Sequence, residues 1–167
     1  MRRTSRGANT LLILLNLGFV AFAEPARQPG QLAKEDVERI IARAKEGFWA
    51  KAVGLDGRPF QPANEQERLT LLIPEADAKR IVNDAVPYGT ASWCMTDWRP
   101  VYLQYMQVER RRGWAERQIA FVGVLFGLTQ RTINGSMGRP CTSEEKRLSN
   151  NWLHLENERL QSLLEGK

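Results

Sequence analysis

Ten consecutive residues, Ile119-Ala120-Phe121-Val122-Gly123-Val124-Leu125-Phe126-Gly127-Leu128, are apolar or glycine. A helix built on such a run has no polar face, so other elements must cover it on most sides. At 1.5 Å per residue the run is about 15 Å long, half of what a bilayer core requires. It therefore predicts a central core helix, over about 115–132. Ahead of it, Trp98, Val101, Tyr102, Tyr105, Met106 and Glu109 follow the helical period, and Arg99, Gln104, Gln107 and Arg110 fall elsewhere. Gly113 follows the cationic Arg110-Arg111-Arg112, as expected just past a helix end. The two helices make a hairpin over 96–132, on which the rest of the chain is expected to pack. Gly123 and Gly127, four apart, invite close approach of a neighbouring helix.

The N-terminus reads differently. Arg2, Arg3 and Arg6 precede an apolar stretch from Leu11 to Ala23, and Ala21-Phe22-Ala23 has the small-x-small form of a cleavage site. These are the three parts of a secretory signal. Residues 1–23 are expected to be a cleavable signal peptide. Residues 24–33, with Pro25, Pro29 and Gly30, are expected to be a flexible lead-in, and 34–167 one helical domain. Removing the signal takes three arginines away, and the net charge of +5 falls to +2. Such a balance gives no reason to expect nucleic acid as a partner.

Export sets the chemistry of the two cysteines, Cys94 and Cys141, which bracket the hairpin. In an oxidising space thiols pair, and two cysteines allow one intramolecular pairing. In the chain-entropy model, closing that loop is worth roughly 4 kcal/mol. No C-x-x-C occurs, and two cysteines with the single His154 do not complete a zinc site. No metal or cofactor is expected.

The remaining elements follow from local signals. Val37, Ile40, Ile41 and Ala44 mark one face of a helix over 34–46, with Phe48 and Trp49 extending the apolar theme towards residue 51. Asn64 suits an N-cap for a short helix ending near Leu72. Pro74 suits the first turn of another helix, which Pro87 and Gly89 are expected to stop near Ala85. A loop is expected over 134–140. Thr142 and Glu145 form a capping box for a last helix, with Leu148, Trp152, Leu155, Leu160 and Leu163 as its apolar stripe. The fold class is all-α: a compact single-domain bundle of about five helices around the hairpin, stapled by one disulfide.

Chemistry is sparse. His154 lies between two leucines without a nucleophile or orienting acid in motif context, and no P-loop, G-x-S-x-G, H-E-x-x-H or dinucleotide glycine pattern occurs. Catalytic residues are not assigned. Asp97, Glu109 and Glu116 are the carboxylates nearest the hairpin, and Asp97 and Glu109 are about 18 Å apart along one helix, too far for a glycosidase pair on that helix. The candidate partner-binding residues are Trp93 and Trp98, from the aromatic concentration around the first cysteine, and Arg110, Arg111 and Arg112.

The cysteine bracket, with Asp97-Trp98 close behind Cys94, resembles the arrangement in HdeA-type periplasmic acid-stress chaperones. The longer mature chain and Arg-rich hairpin depart from that family, and the resemblance carries no activity here. The expectation is a periplasmic or secreted, non-enzymatic protein that binds another protein, a peptide or an envelope component, without a transmembrane span. The alternative is an envelope-acting enzyme with a dispersed carboxylate site at Asp97, Glu109 or Glu116.

Overall fold

A computed structural model describes residues 32–166; the expected signal peptide and most of the lead-in lie outside the described residues. The chain forms six helices: α1 (Lys34–Lys51), α2 (Glu65–Leu69), α3 (Glu75–Trp93), α4 (Arg99–Arg111), α5 (Glu116–Ser136) and α6 (Ser143–Glu165). Among the described residues no strand forms beyond a single bridge between Val53 and Pro59.

The apolar run behaves as its composition requires. No residue from Ile119 to Leu128 is exposed. On one side α1 covers α5, with Phe48 edge-on to Phe121 at 5.6 Å. On another α3 covers it, and this is the most extensive helix contact in the bundle. Tyr102 and Tyr105 of α4 close a third side over Phe126, at 4.6 and 5.4 Å. α6 packs on α4 and α3. At the hairpin turn Gly113 takes a left-handed φ of 81°, which a side chain would oppose.

Several sequence expectations are corrected. First, α3 does not stop near Ala85 but continues through Pro87 and Gly89 to Trp93. Pro87 removes one helical hydrogen bond. Burial of Val86, Tyr88, Gly89 and Ala91 against the bundle outweighs that loss. Gly89 is also the glycine that permits close helix approach: a Cβ there would lie 2.5 Å from Cβ of Ile133 on α5. At Gly123 an added Cβ would meet only the Tyr102 hydroxyl at 3.6 Å, and at Gly127 nothing within 4 Å. Second, α6 is rotated relative to its expected stripe. Of that stripe Leu160 is buried and Trp152 partly buried as expected, but Leu148, Leu155 and Leu163 are exposed, and Leu153 and Ser149 are buried instead. α5 also extends one turn further than expected, to Ser136.

Cys94 caps the end of α3, and Cys141 precedes the Thr142 N-cap of α6. A disulfide joins them, with Cα atoms 5.1 Å apart. Thr142 and Glu145 make the expected capping box. The bond thus ties the end of α3 to the start of α6.

Candidate binding groove

α3 and α6 run antiparallel from the disulfide: Pro87 lies by Trp152, and Asp77 by the α4 C-terminus near Leu163. Their side chains diverge enough to leave a groove with two arms that share Pro87 and Trp152.

The arm nearer the disulfide encloses about 470 Å³ and is mainly apolar, walled by Trp93, Met137, Leu148 and Trp152. Trp93 is fixed in that wall from two directions. Its indole N–H donates to the Arg139 carbonyl at 2.8 Å, and the Arg139 guanidinium stacks 5.3 Å above its ring. Arg139 is itself bound by Glu145 on α6. That ion pair, with the Thr142 hydrogen bonds, pulls the Glu145 carboxyl down to about 2. Trp152 is held edge-on to the buried Tyr88 at 5.0 Å.

The other arm encloses about 420 Å³ and is mixed, with charged side chains set among Val108, Leu160 and Leu163. Its hub is Arg80 on α3. The guanidinium grips Glu109 of α4 with both ends, at 2.8 and 2.9 Å, and also reaches Asp84 at 3.0 Å and Asp77 at 3.3 Å. Glu109 is buried and receives a further bond from the Trp114 indole at 3.3 Å. A buried carboxylate is tolerable only with such compensation. The Tyr105 hydroxyl donates to Asp84 at 3.1 Å. Burial, with the Asp84 and Glu109 carboxylates nearby, pushes the Tyr105 phenol well above its ordinary range, so it remains a donor. Burial also pushes the Asp84 carboxyl up, against the opposing pull of Arg80 and Tyr105. Arg112 binds Asp77 at 2.8 Å, and Arg159 of α6 binds Glu156.

The candidate residues read from sequence are dispersed by the fold. Trp93 forms the wall of the apolar arm and Arg112 lines the polar arm. Trp98 lies outside the groove, edge-on to Tyr102 at 5.9 Å. Arg111 donates to the Leu164 carbonyl, fastening α4 to the end of α6, and Arg110 is exposed. The three hairpin carboxylates do not converge. Asp97 accepts from the Arg99 backbone, Glu116 from the Leu55 backbone at 2.7 Å, and Glu109 lies in the polar arm. His154 is exposed, 3.4 Å from Glu158. Among the described residues no group of three His, Cys, Asp or Glu is placed to hold a metal, and no helix is long and apolar enough to cross a membrane.

Arg80 is the residue that sequence reading missed. The signal was Glu109 itself, a carboxylate on the apolar period of its helix. A buried acid requires a cation from a neighbouring element, and α3 carries Asp77, Arg80 and Asp84 at helical spacing.

In comparison with known proteins, no family model matches this chain, and no curated protein or solved structure shows significant similarity to it. The groove is therefore read from its own geometry.

Proposed function

We propose that this is an exported, non-enzymatic binding protein of the periplasm or extracellular space, and that it takes an extended partner segment along the α3–α6 groove. The observation that carries this reading is the adjacency of the two arms, which share Pro87 and Trp152 as lining residues. An apolar stretch joined to a charged one suits a segment with both characters. Weighing against the enzymatic alternative, Asp97, Glu109 and Glu116 are engaged in three separate places. Two carboxylates of the polar arm, Asp84 and Glu109, share the same guanidinium, and the third, Glu156, is bound by Arg159. Support for export comes from the signal-like N-terminus and a disulfide in the mature part.

The binding reading is tested with a photo-crosslinking amino acid at Leu148, an exposed member of the apolar wall, and at Gln66 on α2 as control. A discrete adduct in cells from Leu148 but not Gln66 is expected. Equal labelling from both, or none from Leu148, defeats it. Export is tested by mass spectrometry of the native protein: a chain beginning at Glu24 is expected, and an intact Met1 in cytosolic extract opposes it.

A further inference from the structure

Two features of the groove define the segment it takes, an inference that rests on the binding reading above. The first is the layering of charge in the polar arm. Three acids lie deeper than the guanidiniums they hold: the side chains of Glu109, Glu156 and Asp77 are 2%, 11% and 19% exposed. Arg112 is 42% and Arg159 53% exposed, while Arg80 at 31% lies level with Asp84 at 33%. At Arg112 and Arg159 a ligand therefore meets guanidinium before the acid beneath it. Each of these cations is held in place from beneath. Arg159 binds Glu156 side-on through Nε and Nη2, both at 2.7 Å. Arg112 gives Nη2 to Asp77 and turns Nε towards Glu109 at 3.9 Å. Both pairings leave Nη1 outside them. Guanidiniums oriented by buried acids, with an edge directed elsewhere, are suited to carboxylate recognition. Asp77, which holds Arg112, and Asp84, which interacts with Arg159, are separated by two turns of α3, roughly 10 Å, so a carboxylate between them engages one edge at a time.

The second feature is Ser149. It lies in the wall of the apolar arm, buried, and its hydroxyl has no hydrogen-bond partner. A helical serine ordinarily bonds the carbonyl one turn back or faces solvent. The oxygen has almost no accessible surface, so it gains a partner only when an occupant shifts the wall, and a peptide backbone group supplies such a bond where a hydrocarbon chain does not. From Trp93 to Arg80 the groove follows α3 for about 20 Å, the length of roughly six extended residues.

We propose that the groove binds an extended peptide. Its apolar residues rest between Trp93, Leu148 and Trp152, and a carboxylate about six residues away lies between Arg112 and Arg159. The carboxylate comes from an acidic side chain or from the peptide's own C-terminus.

The test is fluorescence anisotropy of the purified oxidised protein with four labelled octapeptide mixtures. All carry Phe near the first end and randomised neutral residues between. They finish in a free carboxylate, an amide, a Glu with amidated terminus, or a Lys with amidated terminus. At least one acidic mixture is expected to bind about tenfold more tightly than the plain amide, with Lys weakest. Which acidic mixture wins identifies the carboxylate's source. Arg159→Gln and Arg112→Gln are expected to reduce the acidic mixture to the amide's affinity, and Leu148→Asp to weaken all four. Equal binding of acid and amide, or preference for Lys, overturns the carboxylate inference. The groove reading survives that result if Leu148→Asp still weakens binding. No binding by any mixture, or binding indifferent to Leu148→Asp, removes both. The wild-type comparison of end groups decides the matter even if a variant fails to fold.

Discussion

Arg80 and Glu109 meet fork to fork across the α3–α4 contact, with Nη1 2.8 Å from Oε1 and Nη2 2.9 Å from Oε2. Glu109 is buried, so the pair is less a surface ornament than a condition for α4 to lie where it does. Breaking it strands a charge in a low-dielectric setting. Arg80→Met is expected to destabilise by about 3 kcal/mol, and Glu109→Leu by somewhat less because Arg80 keeps Asp77 and Asp84. The double variant is expected to recover part of the loss of Arg80→Met. Urea unfolding of the three variants measures this, and a single variant within about 0.5 kcal/mol of wild type contradicts it.

The glycines of the core separate cleanly by what surrounds them. Gly89→Ala drives a methyl into Ile133 and is expected to cost about 1–3 kcal/mol. Gly127→Ala enters open space within a helix and is expected to stabilise by up to about 1 kcal/mol. Opposite shifts in melting temperature would verify the assignment of Gly89, rather than Gly123 or Gly127, to the close contact.

Strong acid should remove a contribution near the start of α6. The Glu145 carboxyl is lowered from its ordinary 4.5 to about 2 by Arg139 and Thr142. Its stabilising contribution is therefore complete above about pH 4.5 and is lost as pH falls towards 2. NMR titration is expected to find Glu145 near 2 and to show it returning towards 4.5 in Arg139→Ala. Asp84 carries the opposite sign. Its raised carboxyl takes up a proton more readily folded than unfolded, so its contribution is fully present below the unfolded value of 3.8 and is lost as pH rises through the folded one.

Reduction of Cys94–Cys141 is expected to lower unfolding stability by roughly 4 kcal/mol in the chain-entropy model. The far-UV circular dichroism of the folded protein should stay the same, since the bond lies between helices rather than within one. Loss of helical signal on reduction under native conditions would show that the helices depend on the bond.

The parts of the fold legible in sequence were those specified locally or by composition. The run from Ile119 to Leu128 announced a covered helix, Gly113 a turn, Thr142 and Glu145 a cap, and two cysteines a single pairing. What misled were residues whose local preference yields to packing. Pro87 and Gly89 are helix breakers by propensity, yet Gly89 is where α5 comes closest to α3. Leu160 of the expected α6 stripe is buried, but Leu148, Leu155 and Leu163 are exposed and Leu153 takes their place inside. Of the groove, Trp93 and Arg112 could be singled out individually. Their roles depend on α6 lying antiparallel to α3, and no local signal carries that relation.

The walls of the two arms are held apart by different kinds of force. Trp93 precedes Cys94 and Leu148 lies two turns past Cys141, so the apolar arm stands beside a covalent tie. Towards Glu165 the spacing of α3, α4 and α6 rests on packing around Leu160, on the Arg111 bond to the Leu164 carbonyl and on the ion pairs of the polar arm. Redox conditions therefore bear directly on the apolar end, and salt and pH on the charged one.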